Sequence, residues 1–159
     1  MKIKLTREMV KRIYDGNNKG QFKYCYTDDG THLIVMPDSA YMMIVDITDD
    51  WNDLISGLNI LHDDRLEALR IRLTSDVEMS NIIKFKNDAF IRKSFYWELS
   101  QGDDMYLFDD KYMKYFIKNK TLSYDLFISG HAYGIIAYEG DPDEGYSIVG
   151  VVMGVKFNV

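Results

Sequence analysis

The feature that most limits the fold is a set of strand-length apolar runs, each closed off by a turn signal. Early in the chain these are QFKYCYT, THLIVMP and AYMMIVDI, with Asp28-Asp29-Gly30 between the first two. Late in the chain they are LSYDLFI, AYGIIAYEG and YSIVGVVMGVKF, separated by Ser129-Gly130-His131 and DPDEG. Runs of this length, rich in β-branched and aromatic residues and joined by short Gly/Asp/Asn turns, predict antiparallel meanders. A helix is predicted before each. Over Thr6 to about Asp15, Met9, Val10, Ile13 and Tyr14 recur at helical spacing, with Thr6 as N-cap, Leu5 and Val10 as a staple and Gly16 as a stop. The second runs from Phe108-Asp109 to about Asn119, with Asp109 as N-cap, Phe108 and Met113 as the staple, and Met113, Phe116 and Ile117 as its apolar stripe.

The expected class is therefore α+β, with mostly antiparallel sheet and about three helices, in a single domain over 1–159. Units 1–47 and 90–159 share one order of elements: strand, helix, three-stranded meander. Residue identity between them is low, so any duplication is one of architecture. IRKSFYWELS is expected as the leading strand of the second unit, with Ile91, Phe95, Trp97 and Leu99 on one face. Residues 48–89 carry a helix and a small sheet. Trp51, Leu54, Ile55, Leu58 and Leu61 fall on one helical face, with Asp49, Asp50 and Asp53 at its start. LRIRLT and IIKFK alternate, placing Arg70, Arg72, Lys84 and Lys86 outward.

Charge is distributed in blocks. Residues 1–26 hold seven Lys/Arg and two acids; residues 27–64 hold nine Asp and no cation. Residues 65–97 hold seven Lys/Arg and four acids, and residues 98–159 five Lys and ten acids. Such segregation bears on partners, not on fold. The acidic run reads in two ways. Asp49, Asp50 and Asp53 serve a helix start and Asp28 and Asp29 a turn. Alternatively they gather into a patch that attracts basic proteins, with Trp51 as an apolar anchor. The basic strand residues, with Arg92 and Tyr96, read either as an ordinary solvated sheet face or as phosphate contacts with a stacking ring.

Catalytic signatures are missing. Cys25 lies between aromatics with no activating partner, and Gly16, Gly20 and Gly30 do not fit a phosphate loop. His32, His62 and His131 are isolated, and Asp141, Asp143 and Gly145 resemble a calcium loop except that Val152 stands where its bidentate Glu belongs. The expectation is a non-enzymatic protein with no cofactor, no metal and no small-molecule substrate. MKIKLTREMV lacks an apolar leader, and no apolar run nears the ~18 residues of a membrane span. With one cysteine, the chain is expected in the reducing cytoplasm of a host cell.

Two strand–helix–meander units resemble a domain of a sliding DNA clamp. In that family the helices turn Lys and Arg toward the duplex. The resemblance implies nucleic-acid contacts at Lys11 and Arg12 on the first helix and at Lys114 and Lys118, beside Lys111, on the second. The segment from about Asp49 to Asp88 has no place in a clamp unit. In size, charge and texture the chain is also similar to the small acidic anti-CRISPR proteins of phages and mobile elements that inhibit Cas9. That resemblance implies a basic nucleic-acid-binding protein as partner, a Cas9 nuclease, whose DNA binding or cleavage is blocked. The contacts expected are Asp49, Asp50, Trp51 and Asp53, then Asp28 and Asp29.

Overall fold

A computed structural model describes residues 7, 10, 11, 14, 15, 23–26, 32–38, 41–46, 49–56, 61–62, 83–129, 132–141 and 144–155. The chain divides into two compact units, Met1–Val77 and Glu78–Val159, a boundary inside the 48–89 segment. The class is α+β, as the patterning predicts. Two eight-residue helices and one 3-10 turn are described end to end, fewer than the three helices expected.

In the first unit, Arg7, Val10, Lys11, Tyr14 and Asp15 have helical backbone, within the segment expected as a helix. The meander follows as β1 (Lys23–Tyr26), β2 (His32–Asp38) and β3 (Tyr41–Asp46), each antiparallel to the next. Then comes α1 (Asp49–Ser56). Trp51 and Leu54 are buried and Asp49, Asp50 and Asp53 are exposed, the division their spacing requires. Leu61 departs from expectation. It lies in the short strand β4 (Leu61–His62), parallel to β1, instead of extending the helix. Thr6, Arg12, Asp28, Asp29, Leu58, Arg70, Arg72, His131 and Asp143 lie outside the described residues.

The second unit has a four-stranded sheet in the order β11-β10-β9-β5, made of β5 (Ile83–Lys86), β9 (Ser123–Ser129), β10 (Ala132–Asp141) and β11 (Gly145–Met153). All its pairings are antiparallel, with a bulge at Ala137/Tyr138. Residues 134–138 are buried on both faces, which accounts for the unbroken apolar run in AYGIIAYEG. Ile83 and Phe85 are half-buried and Lys84 and Lys86 exposed, as alternation predicts. Their partner, however, is β9, not a strand of a separate middle sheet.

The leading strand of this unit is consequently β5, and IRKSFYWELS is not one strand. It folds back on itself as β6 (Phe90–Lys93) and β7 (Tyr96–Gln101), joined by Ser94-Phe95. Ser94 has φ 55° and Phe95 has negative φ, the pattern of a type II′ hairpin. A two-residue loop resets which side chains share a face. Phe90 and Leu99 turn inward, while Ile91 is 57% and Phe95 77% exposed, so the shared face expected for Ile91, Phe95, Trp97 and Leu99 is lost. A third strand, β8 (Asp104–Asp109), completes a small sheet in the order β6-β7-β8. The sequence reading missed β8 because DMYLFD runs without a break into the next helix.

That helix, α2 (Asp110–Ile117), is capped as expected: the Asp109 carboxylate accepts the Lys111 N–H at 3.0 Å. It ends at Ile117, two residues short of Asn119. Its buried stripe is Met113, Phe116 and Ile117, joined by Tyr112, and Phe108 beneath the staple is fully buried. An aromatic cluster joins the two sheets, with Phe90 4.9 Å from Tyr124 and 6.2 Å from Phe108, and Phe108 5.7 Å from Tyr133, all edge-on.

Two polar locks complete the unit. The Tyr133 hydroxyl accepts from Leu107 N–H at 3.0 Å and lies 2.8 Å from the Val155 carbonyl it can donate to, while Val155 N–H donates to Leu107 O at 2.9 Å. Gly154 makes this possible, since a Cβ there would stand 2.0 Å from the Tyr133 ring. The second lock is Asn87, buried in the 3-10 turn Asn87–Ala89. Its amide donates to the carbonyls of Ile117 at 2.8 Å and Asn119 at 3.2 Å, covering acceptors that the end of α2 leaves open. Asn87→Ala removes the side-chain donor to the Ile117 carbonyl and leaves the Asn119 carbonyl only the longer Leu122 N–H bond, at 3.4 Å. We expect it to cost about 2 kcal/mol and to lower the melting temperature by roughly 4–8 °C, read by thermal denaturation.

Candidate interaction surface

The acidic helix is the first part of the site. At about 100° per residue, Asp49, Asp53 and Asp50 fall within roughly a third of a turn, opposite Trp51. Asp49 and Asp53 are one turn apart, where like charges repel. All three are exposed, α1 carries no cation, and among the described residues none pairs with them. The dipole favours Asp49 and Asp50 in the first turn, each by about 0.3–1 kcal/mol. Trp51 corrects the sequence reading. At 1% exposure it is a core residue that holds the helix in place, and it offers no surface to a partner.

The basic residues are mostly answered by acids or rings. Arg92 Nη2 lies 3.4 Å from Asp110 Oδ2, Lys93 Nζ 3.5 Å from Glu98 and Lys111 Nζ 3.7 Å from Asp109. These are surface pairs worth about 0–1 kcal/mol each, yet they cancel much of the local field. Lys111 also sits over the Tyr112 ring and the half-buried Lys114 over Tyr115. Lys11, Lys84, Lys86 and Lys118 are exposed, and Tyr96 is half-buried.

Asp110 is a hub that sequence reasoning did not single out. Its N–H donates to the Phe95 carbonyl at 2.9 Å, its Oδ1 accepts from Trp97 Nε1 at 2.6 Å, and its Oδ2 meets Arg92. The helix start and the β6–β7 turn are thus fixed to each other. Nothing in FDDKYM marks Asp110 over Asp109; the difference arises only once the hairpin brings Trp97 and Arg92 alongside.

Asp125 is the second residue missed. It is half-buried in β9, opposite Lys84 in register, and the Tyr138 hydroxyl hydrogen-bonds its carboxylate while Oδ1 has no partner. Burial raises its pKa, and the Tyr138 bond and Lys84 oppose that rise. Tyr138 is raised in turn, first by burial and then by Asp125. An aspartate in the middle of SYDLFI breaks the apolar run, and that was the one available signal.

No family model matches the chain, and no curated protein and no solved structure matches it. Among the described residues, no group of three or more His, Cys, Asp or Glu side chains is placed to hold a metal ion. No described helix is long and apolar enough to cross a membrane.

A raised aspartate stabilises the fold fully below its unfolded pKa of about 3.9, and that contribution disappears as pH climbs through the folded value. Asp125→Asn removes the cost of holding a half-buried charge. We therefore expect the variant to melt above the wild type at pH 7, with the gap closing toward pH 4. A gap that stays constant across this range in thermal melts means Asp125 is not the titrating group.

Proposed function

We propose that the chain is a non-enzymatic binding protein that docks α1 on a basic nucleic-acid-binding protein and blocks its work. The observation that carries this reading is the exposure of Asp49, Asp50 and Asp53 on one helix held by the buried Trp51 and lacking any cation. A fixed ridge of like charge steers a cationic partner and loses little entropy on docking. Residues 27–64, which include α1, hold nine aspartates and no Lys or Arg. Similarity in size, charge and texture to anti-CRISPR proteins makes a Cas9-type nuclease the first partner to test. Its basic channels are built for nucleic acid.

In titrations against such a nuclease, affinity is expected to fall steeply between low and moderate salt. Asp49→Lys with Asp53→Lys is expected to weaken binding tenfold or more, about 1.4 kcal/mol. Unchanged affinity in that double variant sinks the reading.

One observation favours a second reading, a clamp-like DNA accessory protein. In the second unit, a strand (β5), a helix (α2) and a meander (β9–β11) do follow in that order, with β6–β8 inserted between strand and helix. Lys111 and Lys118 are exposed on or beside that helix, and Lys11 lies in the helical stretch near the start. This reading expects duplex DNA to shift in a gel at low salt and light scattering to show an oligomer. A monomer that leaves DNA unshifted excludes it.

A further inference from the structure

The three-stranded sheet has two outer edges, and they are treated differently. At β8 the Leu107 N–H donates to the Tyr133 hydroxyl at 3.0 Å, and the Leu107 carbonyl accepts from Val155 N–H at 2.9 Å. These two bonds also fix which way the main chain points across the sheet. In antiparallel pairing, successive residues turn their N–H and C=O groups to opposite sides. Leu107 points out of the sheet, so Glu98, opposite it on β7, points toward β6 and bonds Ile91. Arg92 comes next on β6 and therefore turns its N–H and C=O away from β7, as does Phe90.

β6 has one strand neighbour, β7. The Phe90 N–H is used by the Asn87 carbonyl in the 3-10 turn. The Arg92 N–H, the Arg92 carbonyl and the Phe90 carbonyl have no main-chain partner among the described residues. The edge is open as well as unpaired. Ile91 is 57% exposed and Phe95, in the turn that follows, 77%. It is also held still, because Asp110 fixes the Phe95 carbonyl and Trp97. An incoming chain meets a preformed template, which lowers the ordering cost of docking.

The unpaired groups select the occupant. Donors and acceptors in an extended row are met by another extended strand, whereas a helix has spent its own N–H and C=O groups within itself. Side chains narrow the choice. Arg and Lys on an edge usually deter pairing. Here Arg92 faces Asp110 and Lys93 faces Glu98, so their charge is largely answered and a neutral strand is admitted. The residue set beside Ile91 meets an exposed apolar side chain, which favours a β-branched residue there. A second copy fits less well. Edge-to-edge pairing with Arg92 opposite Arg92 sets two guanidinium groups side by side, and two chains of net charge −6 repel.

We propose that the outer edge of β6 takes up an extended, neutral segment of a partner protein as a fourth strand, bonded through the main chain of Arg92 and Phe90 and set against Ile91. No residue of α1 takes part, so the inference stands apart from the reading given for that helix.

The probe is an eight-residue peptide of alternating Val and Thr, titrated into the full chain and followed by amide NMR. Before it is added, hydrogen exchange is expected to be fast at Arg92 and slow at Ile91 and Lys93. A protected Arg92 amide in the free chain overturns the inference. The peptide is expected to protect Arg92 and to shift Phe90, Ile91 and Arg92. The same peptide N-methylated at every residue has no main-chain donor on either edge, and is expected to bind about tenfold more weakly. Arg92→Pro removes the outward N–H and leaves the bonds of Ile91 and Lys93 to β7, so it is expected to weaken binding about tenfold. Arg92→Ala keeps the N–H and is expected to bind as the wild type does. Equal binding of the two peptides or no binding of either overturns the inference, and this holds whether or not the Pro variant folds. A folded Pro variant that binds normally overturns it too, as does loss of binding in Arg92→Ala. So does a dimer in light scattering that Arg92→Pro disperses, which gives the edge to a second copy.

Discussion

Everything distinctive about the second unit depends on Asp110. One residue at the first position of a helix uses its amide to hold the Phe95 carbonyl and its carboxylate to hold Trp97 and Arg92. The Trp97 bond matters most. It is short, part-buried and charge-assisted, a class of bond worth roughly 1.5–3 kcal/mol, whereas the Arg92 contact is largely exposed. Without this anchor the inserted sheet would rest on its aromatic packing and on the bonds that Leu107 makes with Tyr133 and Val155. With it, the hairpin turn and the helix start move as one body.

The two charged features of the molecule follow different physics. On α1 the acids are unanswered, so their field extends outward and is screened only by salt. In the β6–β8 region Arg92, Lys93 and Lys111 each face an acid, so the field of those pairs stays short-ranged. A protein that carries both kinds of surface can gain association rate from one and residence time from the other, since field steers encounter while buried contact slows departure.

Much of the fold was legible, because the signals that encode it are local. The antiparallel succession of β1, β2 and β3, the Asp109 cap and the stripe Met113, Phe116 and Ile117 each follow from neighbours close in the sequence. What escaped was set by distant contacts. IRKSFYWELS has an unbroken strand composition, and only Ser94, with neither Gly nor Asn to announce a positive φ, turns it into a hairpin. β8 was hidden because a strand and a helix meet at Asp109 with no intervening loop. Of the acidic site, the exposure of Asp49, Asp50 and Asp53 was readable from helical spacing. The fate of Trp51 was not, since an amphipathic pattern shows which side is apolar but not whether that side meets the core or a partner. Asp110 and Asp125 take their roles from residues 13 or more positions away, beyond the reach of any window.

The tie between Tyr133, Leu107 and Val155 also has a meaning in time. It joins positions 48 residues apart in the chain, and its last member is near the end of the sequence. Contacts this remote carry a loop-closure cost that must be met before they give anything back. During synthesis the small sheet and α2 emerge before Val155 does, so the edge of β8 stays open until that valine has left the ribosome. A nascent chain from which Val155 has not yet emerged carries an unguarded strand, the form most prone to pair with the wrong neighbour.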